Sequence, residues 1–383
     1  MALSTHISRT ATECPRLRLH VLFESSDLRV PFGVSYIRLL QPLGHSSNRD
    51  KVELSFSACL PDFPVDAIIV DRMWRHDLVV NEVLDAQNSL FCELDERNIP
   101  LIYSIDDNLL DHSESRVGSF QNYLHPVICR RFIRQALGVI VSTDVLAHRL
   151  SRLSGRLRVL PNQLDETLYA ADARIHVLRA DTQLVRFGYM GTREHLVDLL
   201  TIVQPIRKFL ALNRDSAVFE IVGVADPLDL HNLFAELPVI VRQVPSEKGT
   251  YPAFVKWMQR EIAWDFAIAP MRRTTFNEAK SDIKFLDYGI LGIPGIFSDS
   301  EAYGNTVRHR ENGLLVGPDY AEWLNAFETM KLDITLRQRM SEECRRYTWE
   351  CRTLAVHARE WVDTIEHFLG RCAVSDKRTA PAA

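Results

Sequence analysis

FNEAKSDIKFLDYGILGIP, residues Phe276 to Pro294, decides the fold. It begins polar, becomes helical and ends as an apolar strand. Ile283, Leu286 and Ile290 recur at helical spacing and are expected to face inward. Lys280, Lys284 and Asp287 line another face, four and three residues apart. Ser281 or a near neighbour is the expected helix start, its hydroxyl able to cap free backbone donors, with Asp282 in the first turn. Gly289, Gly292 and Pro294 stop the helix, and GIPGIF enters a sheet. FAIAPM, just upstream, is itself an apolar strand. Strand, helix, strand in this order is the unit of a parallel sheet.

The same unit repeats outward in both directions. RLHVLFES, VELSFSA, AIIVDR, LIYSIDD, VIVST and RVLPN are the expected strands of the first half. LVRFGYM, FEIVGV, VIVRQV, FAIAPM, GIFSDS and GLLVG are those of the second. Several are continuous apolar runs, as in strands buried on both faces. Between them lie helical stripes such as Tyr251, Phe254, Val255 and Met258. The expected fold class is α/β, with two doubly wound Rossmann-like domains facing across a cleft. The first covers residues 16–165 and the second 180–350. An amphipathic helix at about 352–370 is expected to pack back on the first. The boundary falls where NQLDETLYAADARIHVLRADT loses the strand pattern.

Composition sets the outer limits. A chain of 383 residues exceeds one typical core, which agrees with two domains. The formal net charge of -5 argues against a nucleic-acid partner, since such domains are strongly basic. The first residues lack the apolar core of a signal peptide, and no apolar run reaches the roughly 18 residues of a membrane helix. Seven scattered cysteines without a CxxC pair fit a reduced, cytoplasmic protein with no zinc site. Both chain ends are expected to fray.

In open parallel sheets, ligands bind where strand ends feed helix N-termini. The opening segment lies at such a point. A helix N-terminus with Lys280 and Lys284 suits a diphosphate. Asp287, about one turn on, suits the hydroxyl pair of a ribose. The spacing alone equally fits a solvated helix with a Lys–Asp pair worth a few tenths of a kcal/mol. Position after a strand is what points to a ligand. FGYMGTREHLVDLL repeats the logic: Gly191 allows close backbone approach, followed by Thr192 and Arg193.

Taken together, VDAIIVDR, IPLIYSIDDNLLD, LGVIVSTDVLAHRLS, RVLPNQLD, FGYMGTREHLVDL, FEIVGV, WDFAIAPM, the opening segment and YGNTVRHRENGLLV resemble a two-domain B-fold glycosyltransferase, in the manner of glycosyltransferase family 4. The resemblance implies a nucleoside-diphosphate-sugar donor and no other cofactor or metal. It places Asp287 at the second glutamate of the family's Glu-x7-Glu motif, which holds the ribose. The first glutamate position is Ala279 here, leaving Asn277 or Glu278 beside it to hold sugar hydroxyls. Arg193 stands near the family's basic pair for the diphosphate, whose Lys-Gly is absent; Lys280 and Lys284 compensate, and Ser281 between them counts with the donor-binding residues. Gly223 opens the base-binding region. Gly33 of PFGVSYIRLL resembles the glycine-led helix that faces the phosphates. Asp106 and Asp107 stand where many members carry a histidine near the sugar, and are the candidate catalytic residues.

The resemblance further implies transfer of a hexose with retention of configuration, to a glycan or lipid-linked acceptor, in surface polysaccharide or glycolipid synthesis. Were the outcome inversion, Asp106 or Asp107 would be the general base. The clusters CRRFIR and RLSRLSGRLR are either solvated helix surface or a cationic face for the anionic inner membrane surface. Two other functions fit the same residues: a nucleotide-sugar epimerase or hydrolase on this fold, and a non-catalytic sugar- or partner-binding protein.

Overall fold

The computed structural model describes residues 15–75, 77–111, 125–169, 184–246 and 249–371. The two chain ends expected to fray, and residues 170–183 of the expected linker, lie outside them.

Each of the twelve expected runs overlaps one strand. The first sheet holds β1 (Leu17–Leu22), β2 (Val52–Ser57), β3 (Ala67–Asp71), β4 (Leu101–Ile105), β5 (Gly138–Val141) and β6 (Leu157–Val159). The second holds β7 (Val185–Gly191), β8 (Ala217–Gly223), β9 (Val239–Arg242), β10 (Phe266–Ala269), β11 (Gly295–Ser298) and β12 (Leu314–Val316). Their orders are β2-β1-β3-β4-β5-β6 and β12-β11-β10-β7-β8-β9, with parallel pairing. The direction of winding therefore reverses between β1 and β3 and between β7 and β10. Crevices at the carboxyl ends of these strands are the natural ligand positions.

Both faces of each sheet are covered, so the central strands are buried throughout. Under the second sheet, Phe187 stacks between Phe219 and Phe266, with ring centroids 4.7 and 5.1 Å away. Over the first sheet lies the helix Leu354–Phe368, burying Leu354, Trp361 and Ile365 against Leu19, Ile69 and Ile140. Gly138 makes this possible: a Cβ there would meet the Phe368 ring at 2.4 Å. The last helix thus belongs to the core of the first sheet, although the chain reaches it only after completing the second.

The opening segment differs from its expected form: Lys280 lies before the helix, so it does not share a helical face with Lys284 and Asp287. Its helix spans Ile283–Ile290, with Asp282 at the N-cap position and no side chain bonded to the free backbone donors. Ser281 is drawn away because its hydroxyl accepts a hydrogen bond from Asn162 Nδ2 at 2.8 Å. Before it, Thr275–Glu278 forms a separate helical turn capped by the Thr274 hydroxyl. Gly292 then takes φ +71°, the left-handed turn that leads into β11.

Candidate functional site

The segment between β10 and β11 crosses the cleft. Phe276 and Ala279 are buried in the apolar cluster of the N-terminal half, with Ile105, Leu109 and Leu146. Ala279 has no exposed surface. A glutamate there would place a carboxylate in that cluster, so packing explains why this position carries no charge. Glu278 pairs with Arg149 at 2.7 Å. Thr143 Oγ1 donates to the Ala279 carbonyl at 2.9 Å, and its neighbour Ser142 donates to the Asp106 carbonyl at 2.8 Å. The end of β5 therefore ties the segment to the end of β4.

On the C-terminal side, Gly191 ends β7 opposite Gly223 of β8. Gly223 has φ +70°, and a Cβ on it would lie 2.3 Å from the Gly191 oxygen. Only glycine fits there. With Thr192, the exposed Arg193, Val224, Asp226 and Gln243, these glycines line an open cleft of about 410 Å³. Beside it, Lys284 Nζ donates to the Met190 carbonyl at 3.1 Å and lies over the Tyr189 ring. Burial, then the neighbouring Lys280 charge, lower its pKa to about 8. Lys280 itself lies over the Phe276 ring, 5.2 Å from the centroid. Burial raises Asp287 to about 7, against the pull of Lys284. From the opposite half, Gly33 faces this group across Tyr251, whose ring would lie 3.8 Å from a Cβ on Gly33. Gly33 opens a helical run whose next turn, Tyr36–Leu40, is a π-helix.

The catalytic candidates sit at the switch point of the first sheet. Arg72, at φ +45°, lies between three carboxylates there. Its Nε is 3.3 Å from Glu24 and 3.6 Å from Asp106, and its Nη2 is 3.7 Å from Asp107. Asp71 accepts from Ser35 Oγ at 2.5 Å. Burial, then the Asp107 charge, raise Asp106 to about 7, while Arg72 and Arg38 oppose the shift. Arg38 is fully buried, donating to the Leu160 carbonyl at 2.5 Å and to Asn162 Oδ1 at 2.9 Å.

No protein-family model and no curated protein matches the chain. Solved structures do. Sucrose-phosphate synthase from Thermosynechococcus elongatus is similar at TM-score 0.64 and 13% identity, covering 93% of this chain and 100% of that one. Anabaena HepE in complex with UDP-glucose is similar at TM-score 0.62 and 14% identity, covering 92% and 100%. WaaG, a glycosyltransferase involved in lipopolysaccharide biosynthesis, is similar at TM-score 0.59 and 13% identity, covering 91% and 99%. This chain has the glycosyltransferase B fold.

Within that fold, the residues read from the sequence form two groups. Gly191, Thr192, Arg193 and Gly223 share one cleft; Lys280, Lys284 and Asp287 stand beside it, with Gly33 opposite. Asp106 and Asp107 belong to the acidic group around Arg72. Asn277, Glu278 and Ser281 are already engaged. Asn277 Nδ2 donates to Asp198 and to the Arg272 carbonyl, Glu278 meets Arg149, and Ser281 meets Asn162. A second cleft of about 360 Å³, lined by Arg272, Arg273, Asn277, Glu278 and Ser300, opens alongside.

Sequence reasoning missed His195 and Asp198, although their spacing within GTREHLVD was a usable signal. His195 Nδ1 is 3.4 Å from Asp198 Oδ2. The Lys284 charge, then burial, lower His195 to about 4, so the ring is neutral near pH 7. Burial alone would raise Asp198, but the His195 hydrogen bond, Lys280 and the Arg272 N–H hold it low. Arg72, Glu24 and Asp71 carried no motif; only the sheet order gathers them. The basic clusters divide. Arg149 is spent on Glu278 and Arg158 meets His367, whereas Arg130, Arg134, Arg152 and Arg156 are exposed. Among the described residues, no helix is long and apolar enough to cross a membrane.

Proposed function

We propose that this chain is a glycosyltransferase of the family 4 type, a hexosyltransferase that moves a sugar from a nucleoside-diphosphate sugar to a glycan or lipid-linked acceptor. One observation carries the reading. Two lysines, a close-approach glycine pair and a buried aspartate stand together at the carboxyl ends of β7 and β8, facing Gly33 across the cleft. That order matches the needs of a diphosphate followed by a ribose. HepE has been solved with UDP-glucose and with UDP, and the alpha-glucosyltransferase AGT with UDP, which makes uridine diphosphate the first donor class to test.

In this reading Lys280 and Lys284 neutralise the charge that grows on the departing diphosphate. They are placed before the reaction, so little reorganisation is needed, and the residues supply this charge without a metal. Gly191 and Gly223 let the backbone approach the nucleotide, and Asp287 accepts from the ribose hydroxyls. Asp106, clamped by Arg72, positions the acceptor or polarises the sugar, with Asp107 beside it. With retention, the leaving phosphate takes the acceptor proton. With inversion, Asp106 is the base, and its raised pKa suits that role. Closure across the cleft excludes water and limits donor hydrolysis.

The test is incubation with UDP-, GDP- and ADP-sugars, with and without glycan or lipid-linked acceptors. Product analysis by NMR reads both transfer and anomeric configuration. Transfer that requires an acceptor supports the reading. Conversion of the sugar without acceptor would make the chain an epimerase or hydrolase. No turnover and no diphosphate binding would leave a non-catalytic binding protein. A lipid-linked acceptor also implies a peripheral position on the inner membrane surface, through Arg130, Arg134, Arg152 and Arg156. Co-sedimentation with anionic vesicles at low salt checks this, and absence of binding rejects it.

A further inference from the structure

Two phenols lie behind Asp287. Tyr251 opens the helix Tyr251–Glu261, and Tyr169 follows the turn Glu166–Leu168 that leaves the first sheet. Asp287, Tyr251 and Tyr169 are 9%, 9% and 4% exposed. The Asp287 Oδ1 and both phenol oxygens are buried, and none makes a hydrogen bond of normal geometry. Tyr169 and Tyr251 pack in one buried cluster with Leu286 and Tyr288, the chain neighbours of Asp287. Tyr251 acts on the titration of Asp287 and Tyr169 alike, so it lies between them. Buried polar atoms left in this state are costly, and native proteins hold few of them without a reason. Phenylalanine at 169 and 251 would fill the same space without that cost. The Tyr251 ring also bridges the two halves, because Gly33 packs on it.

We propose that Tyr251, backed by Tyr169, is a positioning residue of the ribose subsite. With a nucleotide bound, its hydroxyl donates to the inner oxygen of Asp287, a bond the structure leaves unmade, and the outer oxygen turns toward a ribose diol. Its ring sets the distance between that carboxylate and Gly33. Tyr169 then donates its own hydroxyl to the Tyr251 oxygen. The inference rests on the donor-site reading above and adds two residues to it.

The experiment compares full-length wild type with Tyr251→Phe and Tyr169→Phe. Calorimetry measures Kd for UDP, GDP and ADP, then for the 2′,3′-dideoxy form of the tightest binder. The readout is the ribose-to-dideoxy ratio of affinities. Wild type is expected to favour the ribose form by about tenfold or more, as for hydrogen bonds to a charged group. Tyr251→Phe is expected to lower that ratio about fivefold, and Tyr169→Phe less, with apo unfolding temperatures at or above that of wild type. A merely structural role would weaken both nucleotides equally and leave the ratio alone. An unchanged ratio in Tyr251→Phe overturns the inference while the donor-site reading stands. No diphosphate binding by wild type overturns both. Should Tyr251→Phe fail to fold, Tyr169→Phe decides by the same ratio.

Discussion

Arg352 and Asp282 form a buried, two-pronged ion pair across the molecule. Nη1 meets Oδ2 at 2.6 Å and Nη2 meets Oδ1 at 3.0 Å. The same Nη2 donates to the Asn162 carbonyl at 3.0 Å, and Thr306 donates to Asp282 Oδ2 at 2.6 Å. The pair thus locks the start of the Lys–Asp helix to the segment that leaves the first sheet and to the one that returns to it. Arg352→Ala is expected to cost about 3–5 kcal/mol, since it leaves a carboxylate buried without its partner. Chemical denaturation checks this. A loss below about 1 kcal/mol would mean that Asp282 reaches water once the arginine is gone.

Glu278 and Arg149 also pair across the cleft, but both are partly exposed. Such a pair is worth under about 1 kcal/mol and is screened by salt. Glu278→Gln is expected to leave the unfolding midpoint almost unchanged. Its effect should appear in the KM for the donor, if Glu278 holds a sugar hydroxyl. Steady-state kinetics at low and high salt separate the two contributions.

Donor affinity should peak near neutral pH. Asp287 must be ionised to accept from a ribose diol, which requires pH above about 7. Lys284 must be cationic to meet a diphosphate, which requires pH below about 8. Affinity therefore falls on both sides of a narrow maximum, measurable as Kd between pH 5.5 and 9.5. Lys284→Met is expected to weaken binding at neutral pH and to remove the alkaline limb. A flat profile in wild type would separate one or both groups from the nucleotide.

Asp287 also carries a stability cost with a defined sign. Its folded pKa of about 7 lies above the value of an exposed aspartate. The folded state therefore holds the proton more tightly, and stability falls as pH rises from about 4 through 7. Asp287→Asn should stabilise the apo protein above pH 7 by about 1 kcal/mol or more while weakening ribonucleotide binding. Thermal unfolding at pH 5 and pH 8 tests the sign, and a mutant less stable than wild type at pH 8 contradicts it. This opposition is usual where a group is kept for function.

Gly223→Ala tests the close-approach pair. The new methyl group meets the Gly191 carbonyl, and alanine disfavours φ +70°. A loss of about 1–3 kcal/mol is expected, together with weaker diphosphate binding. Retained affinity would place the nucleotide away from this turn.

The twelve strands and their parallel arrangement were legible because burial on both faces writes continuous apolar runs into the chain, visible in AIIVD and FAIA. The helix carrying Lys284 and Asp287 was legible because helical spacing after a strand is a local pattern, but Lys280 lies before it and not on the expected shared face. The helix start was not legible, since Ser281 is taken by Asn162, more than a hundred positions earlier. Nor could the sequence say why residue 279 is alanine; its environment comes from the other half of the molecule. Arg72, Glu24 and Asp106 leave β3, β1 and β4, and only the strand order brings both carboxylates within 4 Å of the guanidinium. Tyr251 read as one more apolar residue of a helical stripe; its place between Gly33 and Asp287 is a property of the tertiary fold. The sequence by itself determined what local periodicity and burial encode: the strands, the helices and the two doubly wound sheets. The tertiary structure alone decided which charges meet, because electrostatic partners are set by distance in space, and the cleft joins residues that the chain keeps far apart.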